Sequence, residues 1–149
     1  MRRIATLVSL FLLALFAFGQ GGDTSRKPVP AYNAGPPAKD VFVPPILPKD
    51  ALWGPTFQFP YQSRAYELAS RIPAVIYQQP CYCYCDRMGH KSLHSCFETT
   101  HAAECGVCLQ ELYYTYKQSR LGKTPSQIRQ RIVRGEWKQV DLQNVDAIR

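Results

Sequence analysis

Six cysteines fall within 28 residues of this chain, between Cys81 and Cys108, and no cysteine lies anywhere else. That concentration constrains the fold more than any other feature, because six thiols in one short span must pair, bind something or be kept apart. The segment reads Pro80-Cys81-Tyr82-Cys83-Tyr84-Cys85, then Gly89-His90-Lys91-Ser92, then Cys96, then Cys105-Gly106-Val107-Cys108. In an extended stretch alternate side chains share a face. Cys81, Cys83 and Cys85 would then lie together with Tyr82 and Tyr84 opposite, and neighbouring thiols about 6.5–7 Å apart along the strand. Neighbours at that spacing cannot form a disulfide without bending the backbone. Each sulfur therefore finds its partner elsewhere, or the loop curls until several sulfurs meet.

Cys105 and Cys108 are three residues apart, so at the start of a helix they lie on one side. The free N–H groups of a helix start favour the thiolate, the form that binds metals and attacks disulfides. Both also continue an apolar stripe with Leu109, Leu112 and Tyr116 that is expected to face inward. An inward pair is better placed to meet the Cys81–Cys85 row than an external substrate. Three chemistries remain open for the six thiols. One is three disulfides, the default for a small exported domain. Another is a soft-metal site for Cu(I) or Zn, with Cys81, Cys83, Cys85, Cys96, Cys105 and Cys108 as sulfur ligands. The last is thiol–disulfide exchange at the CxxC, although the preceding strand of a thioredoxin-like unit is missing. Sulfur separations decide among them. Bonded sulfurs are about 2 Å apart, whereas a ligand shell spaces them at roughly 3.5–4 Å.

Imidazole suits both metals. His90 is the first candidate, since it follows Gly89 and lies closest to the triple-cysteine loop; His94 and His101 also flank the cluster. Glu104 and Glu111 bracket the CxxC, with Glu104 expected to complement the helix dipole. There is no Gly-rich phosphate loop, no nucleophile elbow and no HExxH. No enzyme class is assigned on this basis.

The rest of the chain divides by composition. Arg2 and Arg3, the apolar residues 4–18 and Ala17-Phe18-Gly19 form a signal-peptide pattern over residues 1–19. At 15 residues the apolar run is short of the roughly 20 that span a bilayer. The competing reading is an uncleaved anchor. With cleavage, export to the periplasm or exterior follows, and no later segment is apolar enough to cross a membrane. Residues 20–60 read as a proline-rich extended leader: nine of 12 prolines lie between Pro28 and Pro60, which suits neither helix nor central strand. Its later apolar residues, among them Ile46, Leu47, Trp53 and Phe57, are expected to lie along the folded domain as a strap.

Residues 61–137 are expected to form a small, mainly helical domain of about three to four helices, with 138–149 a C-terminal tail. Ala65, Leu68, Ala69, Ile72 and Ile76 mark a first helix capped by Ser63, with Pro73 kinking it or opening a second. A longer helix is expected over 103–121, stopped by Gly122. Thr124-Pro125-Ser126-Gln127 is a capping box for the last. Removing Arg2 and Arg3 lowers the formal net charge from +7 to +5, and the late basic residues read as a solvated helix face. Export and the lack of any aromatic-plus-basic motif argue against nucleic acid as a partner.

The ordered motifs Pro80-Cys81-Tyr82-Cys83-Tyr84-Cys85, Gly89-His90-Lys91-Ser92-Leu93, Cys96-Phe97 and Cys105-Gly106-Val107-Cys108-Leu109 resemble the bacterial PCYCGC-motif proteins, also called the CYCXC family, over about residues 71–134. The resemblance implies an exported protein whose cysteines form one unit, some members carrying selenocysteine, and it implies no reaction. Tyr84 stands where that family usually has glycine. Tyrosine lacks glycine's freedom at positive φ, so the loop is expected to be more extended here.

Overall fold

A computed structural model describes residues 28–147; the expected signal peptide and the first residues of the leader lie outside the described residues. The described chain is helical and contains no strand. Five α-helices run α1 Pro60–Arg71, α2 Pro73–Ile76, α3 Leu93–Cys96, α4 Gly106–Arg120 and α5 Pro125–Val133, of which α2 and α3 are single turns. Helix α4 is central: α1, α2, α3 and α5 all pack on it.

Local chemistry sets the helix ends, not always at the expected residue. Helix α1 starts at Pro60, three residues ahead of the expected cap Ser63. The Phe59 N–H donates to Gln62 Oε1 at 3.0 Å, and the Nε2 of the same amide donates to the Ala103 carbonyl at 2.8 Å. Gln62 is thus both a cap and a tie to the chain entering α4, while Ser63 Oγ merely bonds back to the Pro60 carbonyl. Pro73 opens α2 as its first residue, the position where its missing N–H costs nothing. Helix α5 is capped reciprocally by Thr124 and Gln127, and Gly122 takes φ +74 after α4. The expected helix over 103–121 begins later, at Gly106. Residues Thr100–Glu104 instead form a 3-10 turn in which the Cys105 N–H bonds the Ala102 carbonyl, leaving Cys105 as the extended N-cap residue of α4.

The proline-rich leader is docked along the body, although Trp53, expected to join the strap, stays exposed. Leu47 N–H donates to the Phe97 carbonyl at 2.9 Å, Asn33 Nδ2 to the Tyr77 carbonyl, and Ile46, Leu47, Leu52 and Phe57 pack against the core. The packing also extends beyond 137: Val145 is buried, and Gln110 Nε2 holds the Val140 carbonyl at 2.8 Å. The main core joins Leu68, Ile76, Leu93, Phe97, Leu112 and Tyr113 to Cys81, Cys85, Cys96 and Cys108. A second, smaller core of Tyr114, Ile128, Ile132 and Trp137 lies between α4, α5 and the 3-10 turn Glu136–Gln139.

Candidate metal centre

The cysteine loop curls. The Tyr84 N–H donates to the Cys81 carbonyl at 3.1 Å, closing a turn. Tyr84 itself takes φ 58, ψ 31, the only non-glycine residue at positive φ among the described residues. The more extended loop expected from a tyrosine at this position is therefore not what forms. The left-handed region costs a side-chain-bearing residue roughly 1–2 kcal/mol. Its ring offsets this cost, lying edge-on to Tyr82 with centroids 5.9 Å apart and under the Arg87 guanidinium at 5.7 Å. A 3-10 turn, Cys85–Met88, follows, and Gly89 at φ 97 ends it, so the chain doubles back to His90. Leu93 N–H then bonds the Gln79 carbonyl at 2.8 Å. That bond seats α3, and with it Cys96, beside the start of the loop.

The result is one cluster of sulfurs drawn from three segments. Cys81 Sγ lies 3.3 Å from Cys83 Sγ and 3.3 Å from Cys108 Sγ, and Cys83 and Cys108 are 3.6 Å apart. Cys85 and Cys96 sulfurs are 3.2 Å apart, and His90 Nδ1 is 3.3 Å from Cys96 Sγ. All six cysteines are free thiols, so no separation is that of a disulfide. Two quartets have ligand atoms all within 4.8 Å of one another: Cys81, Cys83, Cys96 and Cys108, and Cys83, Cys85, Cys96 and His101.

Cys81, Cys85, Cys96 and Cys108 are buried, while Cys83 and Cys105 remain half-exposed. Cys108 faces inward as its stripe implies. Cys105, at the N-cap, does so only in part and belongs to neither quartet. The acidities also differ from the helix-start expectation. Cys108 is raised, most of all by Cys105 and then by Cys81 and Cys83, and Cys105 is raised as well despite Cys108, through Cys83 and burial. The strongly lowered thiol is Cys83, which collects the S–H groups of Cys105, Cys108 and Cys81. The S–H groups converging on Cys83 favour its thiolate, at a position outside the helix start.

His90 is held below the ordinary histidine value by burial and by His101, which favours the neutral imidazole that ligates metals. Its ring lies edge-on to that of His101, centroids 5.0 Å apart. His94 turns away, its Nδ1 3.0 Å from Glu98 Oε1. His101 Nε2 is buried with no hydrogen-bond partner.

Glu111 is the residue that sequence reasoning undervalued. Fully buried, it accepts the Tyr82 N–H at 2.9 Å through Oε1, while Oε2 has no partner. Burial pushes its carboxyl up to about 8, against the Tyr82 hydrogen bond that lowers it. Its spacing was the available signal: Glu111 lies three residues after Cys108, on the same side of α4. Glu104, by contrast, is exposed just before the N-cap. Among the described residues no helix is long and apolar enough to cross a membrane. Comparison with protein-family models, with curated proteins and with solved structures gives no match for this chain.

Proposed function

We propose that this protein binds a soft metal ion, Zn(II) or Cu(I), at the sulfur cluster and serves in its storage, delivery or detoxification outside the cytoplasm. One observation carries the reading: sulfurs from the Cys81–Cys85 loop and from α4 form a triangle with sides of 3.3, 3.3 and 3.6 Å, with Cys96 completing a quartet. The centre of that triangle is about 2.0 Å from each sulfur, shorter than a Zn–S bond of about 2.3 Å. An ion bonded to all three would stand roughly 1.2 Å off their plane, the pyramidal arrangement that leaves room for a fourth ligand.

Thiolate softness selects Cu(I) or Zn over Ca or Mg. The half-exposed pair Cys83 and Cys105 offers an incoming ion its first ligands, and Cys83 is the thiol most ready to ionise. An ion that can enter at an exposed thiolate can also leave by exchange onto another protein's thiol, which suits delivery better than permanent structure. The motif order shared with the CYCXC family and the signal-peptide pattern belong to the same proposal.

The test is uptake by the reduced protein under non-denaturing mass spectrometry with Zn(II) and with Cu(I). Retention of at least one ion, lost in a Cys81→Ser/Cys108→Ser double variant, supports the reading. A protein with six titratable thiols that takes up neither ion overturns it.

A further inference from the structure

The cluster contains two overlapping quartets. They share Cys83 and Cys96 and differ in the rest, Cys81 and Cys108 on one side, Cys85 and His101 on the other. Resting on the metal-binding reading above, we propose that the centre is binuclear, holding two soft divalent ions bridged by the Cys83 and Cys96 thiolates. One ion has the ligand set Cys81, Cys83, Cys96 and Cys108, and the other has Cys83, Cys85, Cys96 and His101.

Independent observations point to the second position. His101 Nε2 is buried and without a hydrogen-bond partner, which costs free energy unless something accepts or supplies a bond there. The turn that presents His101 is also fixed from outside the cluster. Tyr66 OH donates to the Thr99 carbonyl at 2.7 Å and accepts from the Ala103 N–H at 3.2 Å, clamping the backbone on both sides of the histidine. Thr99 Oγ1 accepts the His101 N–H within that turn. Within the same quartet as His101, the Cys85 and Cys96 sulfurs are 3.2 Å apart.

Charge argues for divalent ions. The combined set contains five thiolates, so two divalent ions leave about one net negative charge, whereas two Cu(I) ions leave about three in a largely buried site. Four thiolates, or three thiolates and an imidazole, are also the ligand sets of tetrahedral zinc. Binding is proton exchange with no change of oxidation state. Each ligating thiol gives up its S–H proton to solvent as its sulfur–metal bond forms, and His101 ligates as the neutral ring. His90, with Nδ1 3.3 Å from Cys96 Sγ, then acts as a donor to a bridging sulfur and not as a ligand.

The experiment loads the reduced full chain with Zn(II) and weighs it intact, then repeats the loading with Cd(II) for cadmium NMR. Two ions per chain are expected, and two cadmium resonances that split one another through the shared sulfurs. His101→Ala, a half-buried turn residue, should retain one ion and lose the splitting. Cys81→Ser should weaken the other position while leaving the His101 ion in place. Cys96→Ser should drop the affinity for both ions at least tenfold, with helicity checked by circular dichroism. A wild-type protein saturating at one ion overturns the binuclear centre and leaves the metal-binding reading intact. No ion at all overturns both. Two unsplit resonances, or two ions retained by His101→Ala, overturn the shared ligands.

Discussion

The two cores of this molecule are built to different rules. Around α5, Ile128 and Ile132 are fully buried against Tyr114 and Trp137, and the surrounding charges are closed on themselves. Glu136 takes Tyr114 OH, Arg131 and Arg134 together, which holds its carboxyl down to about 2. Across α4, the main core includes four buried thiols, a buried carboxyl with one unpartnered oxygen and an unpartnered imidazole nitrogen. Hydrophobic burial and capping account for most of the α5 core, which leaves one buried donor, Trp137 Nε1, without a partner. The sulfur core sets two unpartnered atoms, Glu111 Oε2 and His101 Nε2, beside a cluster of thiols that could hold a metal ion. A helical body of this size has little stability in reserve, so unpartnered groups around the sulfurs make this core the one whose stability should depend on the proposed metal.

Removing metal is the sharpest way to break this contrast. At metal a thousandfold above Kd, binding adds about 4 kcal/mol, so chelation should lower Tm by ~10–20 °C in calorimetry. If Tm is unmoved while metal is lost, the sulfur core stands unaided and the contrast fails. Ile132→Ala addresses the other side. It should cost about 2–5 kcal/mol in denaturant unfolding and leave metal stoichiometry unchanged; altered stoichiometry would show the two cores to be one cooperative unit.

Glu111 gives a smaller effect with a definite sign. Its folded value, about 8, lies above the ordinary 4.5, so the native metal-free protein binds the proton more tightly than the unfolded chain. Stability should therefore be full below about pH 4.5 and fall as pH rises toward 8. Glu111→Gln should flatten that stretch, a difference on the order of 2 kcal/mol already at about pH 6, measured by unfolding midpoints across pH. A wild-type profile that rises over the same window would show that Glu111 is ionised in the fold.

Tyr84 gives the smallest. Glycine relieves the left-handed backbone but forfeits a ring contact worth about 0.5–1.5 kcal/mol, so Tyr84→Gly should change stability by less than ~0.5 kcal/mol in the same unfolding assay. Tyr84→Ala loses the ring without the relief and should cost about 1 kcal/mol. Equal effects of the two would mean that the backbone conformation carries no cost.

Much of this architecture is legible in the chain itself. The α5 capping box, Pro73 opening a helix, the Gly122 stop and the inward Cys108 all follow from local chemistry, where the deciding atoms are within four residues of one another. The gathering of the six cysteines near one another is likewise implied by their density. What sequence could not supply were partners brought from a distance. Gln62 displaced Ser63 as the cap of α1 because the Ala103 carbonyl, forty-one residues away, accepts from its amide. Tyr84 turned left-handed because Tyr82 and Arg87 pack on its ring in the folded loop. The lowered thiol moved from the helix start to Cys83 because S–H groups converge there, and that convergence exists only once loop and helix meet. Spacing nominated the candidate ligands; only the tertiary structure decided which sulfurs fall in both quartets, because that depends on separations between segments that the chain order does not encode.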